Sequence, residues 1–179
     1  MDLIILGGNN RSPKNRAWVS DLANTLQPYF TSVYSHSYRH WQTKEKVINL
    51  DCELEALKNI IKEKQEYLIL GKSAGVILTL KGINSGVFTP AKCIFIGTPV
   101  RWGKKHSFAV DAWFRNYSTP SLFIQESYDP AMLSKSLKKY LKEMGVANYQ
   151  LSEIPGNDHD YENQLQLRDI IISFATHSS

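Results

Sequence analysis

Short apolar runs alternate along this chain with longer amphipathic stretches, and the alternation predicts strands and helices taking turns. Strands are expected at 3–6, 32–35, 67–70, 91–96, 122–125 and 149–154. Helices are expected at 14–26, 53–64, 74–80, 131–144 and 162–175. The clearest helix is 131–144, where Leu133, Leu137, Tyr140, Leu141 and Met144 share one face and Gly145 stands where a helix would stop. Such a stripe belongs to a core and not to a cofactor site. The whole reads as a parallel sheet with crossover helices. No repeat, low-complexity tract or linker interrupts it, so a single domain over 1–179 is expected.

Composition agrees with that picture. A chain of 179 residues, 42% hydrophobic, is long enough to bury about 70% of the surface its unfolded form exposes. No stretch is apolar and long enough for a bilayer span, and Met1-Asp2 running straight into a strand is no secretory signal. Cys52 and Cys93 read as small buried apolar residues rather than a disulfide, and a cytoplasmic location is expected.

The net charge of +4 raises the question of an anionic partner, but most lysines are scattered. Lys58, Lys62 and Lys64 fall near one helix end, and Lys135, Lys138, Lys139 and Lys142 along another, as solvated faces would have them. Arg101, Lys104 and Lys105 cluster in an expected loop, where they are either solvated or favour an anionic substrate. Neither a nucleic-acid nor a membrane partner is expected, and oligomeric state is not legible.

The candidate chemistry begins at Gly71-Lys72-Ser73-Ala74-Gly75, between the strand 67–70 and the helix 74–80. In a strand–turn–helix setting this G-x-S-x-G pattern puts a serine at the tip of a sharp turn with its hydroxyl exposed, and larger side chains at the glycine positions would collide with neighbouring elements. A phosphate-binding reading of Gly71-Lys72-Ser73 fails, because the first glycine of that pattern would have to occupy the position of Glu66. A nucleophilic serine needs a base and a group to orient it. Asp129, in Glu126-Ser127-Tyr128-Asp129-Pro130, follows the strand 122–125, and His159, in Pro155-Gly156-Asn157-Asp158-His159-Asp160-Tyr161, follows the strand 149–154. In a parallel sheet all three would emerge at the carboxyl edge. Each also has a plainer reading: Asp129-Pro130 is a good helix start, and His159 a solvated loop histidine.

These three motifs together resemble those of the α/β-hydrolase superfamily, most nearly its small cap-less, dienelactone-hydrolase-like members, with the similarity running from Leu3 to Phe174. The resemblance implies a three-layer α/β/α sandwich with a mostly parallel six-stranded sheet in the order 2-1-3-4-5-6, a minimal α/β-hydrolase fold trimmed of the usual first two strands. It implies Ser73 as nucleophile, His159 as base and Asp129 as orienting acid. It also implies an oxyanion hole from the backbone N–H of Ala74 and of Gly8 or Asn9. The sequence departs from the pattern in two places. Gly7-Gly8-Asn9-Asn10 replaces the His-Gly pair common after the first core strand, and a serine stands where dienelactone hydrolases proper carry cysteine.

The expected activity is hydrolysis of a small-molecule acyl substrate, an ester or thioester, with no cofactor and no metal. Trp41, Trp102 and Trp113 are candidates for the pocket wall; for these aromatics, as for Tyr38, Phe108, Phe114 and Tyr117, ordinary packing is the other reading. His36 and His40 are four apart but have no evident third ligand, so a zinc site is not expected. The alternative from another class is an inactive protein that keeps the fold and binds a partner through Arg101–Lys105.

Overall fold

The computed structural model describes residues 1–176. Its six strands are β1 (Asp2–Leu6), β2 (Val33–His36), β3 (Tyr67–Lys72), β4 (Lys92–Ile96), β5 (Ser121–Glu126) and β6 (Tyr149–Ile154). All pair in parallel, in the spatial order 2-1-3-4-5-6. The order matches the expectation, and the sheet is wholly rather than mostly parallel. Every residue of β3 and β5 is buried, as befits central parallel strands covered on both faces.

Among the described residues seven α-helices flank the sheet: α1 (Pro13–Leu26), α2 (Leu50–Lys62), α3 (Ala74–Asn84), α4 (Val100–Lys105), α5 (Val110–Arg115), α6 (Ser134–Glu143) and α7 (Gln164–Thr176). Helices α1 and α7 pack together, while α3 packs with α2 and α5. Tyr140 of α6 meets Phe114 of α5 edge-on, with ring centroids 5.4 Å apart. The result is the expected three-layer α/β/α sandwich. No helix among the described residues is long and apolar enough to cross a membrane.

Capping explains where the helices begin. Ser12 accepts the Asn15 N–H at 3.2 Å and Pro13 opens α1. In α2 the Asn49 side chain accepts the Cys52 N–H, which starts the helix at Leu50 rather than at 53 and buries Leu50, Leu54, Leu57 and Ile61 on one stripe. That start leaves Cys52 exposed, so the expectation that both cysteines are buried holds only for Cys93. Helix α6 begins at Ser134 instead of 131, because Asp129 does not cap it. The Asp129 Oδ1 accepts the Ala131 N–H at 2.7 Å in a tight turn of its own. The stretch 97–119 folds into α4 and α5, so Arg101, Lys104 and Lys105 lie on a helix and not in a loop.

The chain leaves β1 toward β2 on one side and returns to β3 on the other. Ligands of open α/β sheets gather at such a reversal, beyond the carboxyl ends of the strands. Gly8 and Ser73 both lie there.

Candidate active site

Strand β3 runs into α3 with a single residue between them. That residue, Ser73, has φ 53° and ψ −115°, a conformation L-residues rarely adopt. Neighbouring backbone holds it there: the Ser73 N–H donates to the Ile96 carbonyl at 2.9 Å, and the Val76 N–H donates to the Ser73 carbonyl at 2.9 Å. The flanking glycines are steric necessities. A Cβ on Gly75 would lie 2.1 Å from the Leu6 carbonyl oxygen, and one on Gly71 would lie 2.7 Å from the Gly75 backbone. The close approach of α3 to β1 therefore requires hydrogen at Gly75, and the tight turn from β3 into α3 requires it at Gly71.

The structure brings Ser73, His159 and Asp129 into one hydrogen-bonded line. His159 Nε2 is 3.0 Å from Ser73 Oγ, and His159 Nδ1 is 2.7 Å from Asp129 Oδ2. Since an ionised carboxylate only accepts, Nδ1 carries the proton and Nε2 is left as acceptor for the serine hydroxyl. Asp129 is fully buried, and His159 keeps a quarter of its side chain open to solvent. Burial pushes the Asp129 carboxyl up. Hydrogen bonds from His159, Tyr161 and the Ala131 N–H outweigh that and hold it below the usual carboxylate range.

Tyr161 had no role in the reading of the sequence. Its hydroxyl donates to Asp129 Oδ2 at 2.6 Å and accepts the Glu126 N–H at 3.1 Å, while the Trp18 indole N–H donates to its carbonyl at 2.8 Å. Burial first, and then the Asp129 charge, push the phenol far up, so it remains a donor. The loop before it is tied as well. Glu126 Oε2 accepts the Asp158 N–H, and both His159 and Tyr161 adopt positive φ, 85° and 59°. Gly97, at φ +61°, makes room for the two rings: a Cβ there would lie 2.8 Å from His159 Cε1 and from Tyr161 Cε2. Only a polar-tipped aromatic two residues after His159 hinted at this in the sequence.

Ser73 and His159 open into a cavity of about 710 Å³ whose wall includes Gly8, Asn9, Asn15, Trp18, Lys72 and Trp102. Gly8 stands close to the serine, since a Cβ on it would lie 3.6 Å from Ser73 Cβ. The Asn15 amide donates to the Gly8 and Asn10 carbonyls, and His40 Nε2 donates to the Asn9 carbonyl at 2.8 Å. Asn9 is pinned further, its side chain donating to the Lys46 carbonyl and accepting the Ile48 N–H. With their carbonyls thus held, Gly8 and Asn9 share the cavity wall with Ser73. Ala74 is the first residue of α3, where an N–H has no intrahelical partner.

Of the three tryptophans expected at the wall, only Trp102 is there. Trp41 packs under Gly7 and against Tyr38, whose hydroxyl donates to the Gly7 carbonyl at 2.9 Å. Trp113 lies beside Phe108, away from the cavity, while Phe114 and Tyr117 are core residues. Packing the short helices α4 and α5 onto the sheet takes up these rings. His36 and His40 serve structure too, His36 Nε2 lying 2.7 Å from Glu53 Oε2. The cationic cluster is also elsewhere: Lys104 pairs with Asp111 at 2.7 Å, and none of Arg101, Lys104 and Lys105 reaches the cavity.

Lys72 does reach it. The residue continues the apolar β3 run into the motif and is only 6% exposed. Its ammonium donates to the Asp160 carbonyl at 3.0 Å and sits 4.5 Å over the Trp18 ring. Desolvation pulls it down to about 8, against a partial upward pull from Asp160.

No protein-family model matches the chain, and no curated protein matches it. Solved structures do. A serine hydrolase of carbazole degradation superposes with a TM-score of 0.69 at 13% identity, covering 98% of this chain and 91% of that one. A lipase-esterase related protein from Clostridium acetobutylicum gives 0.71 at 11% identity, with 97% and 93% covered. An α/β hydrolase from Sphaerobacter thermophilus gives 0.67 at 15% identity, with 98% and 92% covered. The similarity spans the whole sheet and both helical layers.

Proposed function

We propose that this chain, which has the α/β-hydrolase fold, is a serine hydrolase that cleaves a small ester or thioester through an acyl-enzyme. One observation carries the reading: the unbroken line from Ser73 Oγ through His159 to a buried Asp129 carboxylate, opening into a cavity. A merely capping aspartate or a solvated histidine would have no reason to meet a strained serine at bonding distance.

In this mechanism His159 Nε2 takes the hydroxyl proton as Ser73 Oγ attacks the acyl carbon. Asp129 holds the imidazole in the required tautomer and stabilises the imidazolium that forms. Its depressed pKa keeps it charged for that task. The oxyanion is received by the Ala74 N–H, helped by the dipole of α3, and by the N–H of Gly8 or Asn9. The imidazolium then protonates the departing alcohol or thiol. Water, deprotonated by His159, attacks the acyl-serine and releases the acid. Trp102 contributes apolar wall on one side of the cavity.

A fluorophosphonate probe tests the reading directly. Stoichiometric labelling of wild type is expected, absent in Ser73→Ala and strongly reduced in His159→Ala, with turnover lower by on the order of 10⁴–10⁶ in either variant. Folded wild-type protein that takes no label at neutral pH would refute it and favour the inactive binding protein.

A further inference from the structure

We propose that the substrate carries a carboxylate, received by the Lys72 ammonium in the wall of the Ser73 cavity, so that the enzyme prefers half-esters of dicarboxylic acids to neutral esters of the same length. The inference rests on the serine-hydrolase reading and names its substrate class. Lys72 is more than nine-tenths buried, yet no carboxylate pairs with it among the described residues. An ammonium has three N–H donors, and the structure gives this one a single acceptor, the Asp160 carbonyl. Its other donors have no protein acceptor among the described residues, and in the wall of the cavity beside the nucleophile they are available to an anion that enters.

The surroundings agree. The cavity wall carries Arg11, Lys14, Lys46 and Lys72 against Glu45 and Asp160. Lys14 is shared between Asp160 at 2.6 Å and Glu162 at 2.7 Å, which leaves Arg11, Lys46 and Lys72 against Glu45. The wall is therefore net positive, with one cation desolvated in its depth and the others at the mouth, an arrangement that draws in and then fixes a single negative group. The Trp18 face beneath the ammonium holds it in place without neutralising it. A compact lysine ammonium acts as a point charge with rotatable donors, which suits one carboxylate on a small acyl chain. Burial lowers the Lys72 pKa to about 8, against upward pulls from Asp160, Asp129 and Asp158, and a bound carboxylate would raise it.

The test compares p-nitrophenyl hemiglutarate with p-nitrophenyl valerate, which replaces the carboxylate by a methyl group. Wild type should favour the hemiglutarate in kcat/KM, mainly through KM. In Lys72→Met that preference should shrink by about 10–100-fold, the range of a hydrogen bond to a charged group. An equal loss on both esters, through kcat, would mean that Lys72 only holds the His159 loop through Asp160, and would overturn the proposal. A measurement that needs no variant is protection of wild type from the fluorophosphonate probe: glutarate should slow labelling and neutral glutaramide should not. Normal labelling with no such difference sinks the carboxylate site and leaves the hydrolase intact. No labelling at all sinks the hydrolase reading and this inference with it.

Discussion

Replacing Tyr161 by phenylalanine removes one oxygen from the interior and nothing else. The ring is 2% exposed and packs against Gly97, so phenylalanine keeps its place. Two bonds vanish: the one donated to Asp129 Oδ2 at 2.6 Å and the one accepted from the Glu126 N–H at 3.1 Å. A hydrogen bond to a charged acceptor contributes about 1.5–3 kcal/mol, and the orphaned buried N–H adds about 1–3 kcal/mol of desolvation cost. Because the two share one hydroxyl and are not additive, a net loss of about 2–4 kcal/mol is expected, or roughly 5–15 °C in Tm for a chain of this size. Asp129 keeps His159 and the Ala131 N–H as donors. Turnover should therefore fall only by about 10-fold, far less than the roughly 10⁴ expected for Asp129→Asn, which disturbs the tautomer itself. Urea unfolding gives the first number and steady-state ester hydrolysis the second. Stability unchanged to within about 0.5 kcal/mol would refute the assignment of both hydrogen bonds.

Further outcomes follow from the same geometry. Gly97→Ala puts a methyl 2.8 Å from both the His159 and Tyr161 rings at φ +61°, so activity should drop by on the order of 10² while far-ultraviolet dichroism stays native. Ser73→Gly relieves a strained φ of 53°, and after glycine's own entropic cost it should raise stability by about 1 kcal/mol in urea while abolishing turnover. Lys72 has a folded pKa of about 8 against 10.5 unfolded, so between those values the unfolded chain binds more protons and stability rises with pH. Its burial penalty is full below pH 8 and gone above 10.5, a difference of up to about 3 kcal/mol. The stability gap between wild type and Lys72→Met, followed by urea titration across that window, should change by that order, and a constant gap would disprove the shift.

Much of the molecule was legible in the sequence, and residues show why. Apolar runs such as Leu3-Ile4-Ile5-Leu6 and Tyr67-Leu68-Ile69-Leu70 have few ways to hide except as central strands, and the stripe through Leu137, Tyr140 and Leu141 fits only a helix on a core. Chain order also carried the candidate site, because parallel strands deliver whatever follows them to one edge. Ser73, Asp129 and His159 each follow a strand. Helix starts were less legible where a side chain had two uses. Asp129 reads locally as a cap, and only its approach to His159 and Tyr161 decides against that.

Local pattern thus determined the strands, most of the helices and the edge at which the candidate groups appear, since periodicity and turn chemistry act over a few residues. The tertiary structure alone decided which groups meet across 86 residues between Ser73 and His159, or 32 between Asp129 and Tyr161. It also decided that Trp102 faces the cavity while Trp41 and Trp113 pack elsewhere, and that one lysine of many is buried without a counter-ion. Burial and long-range contact depend on how whole layers close over one another, and no window of neighbouring residues contains that information.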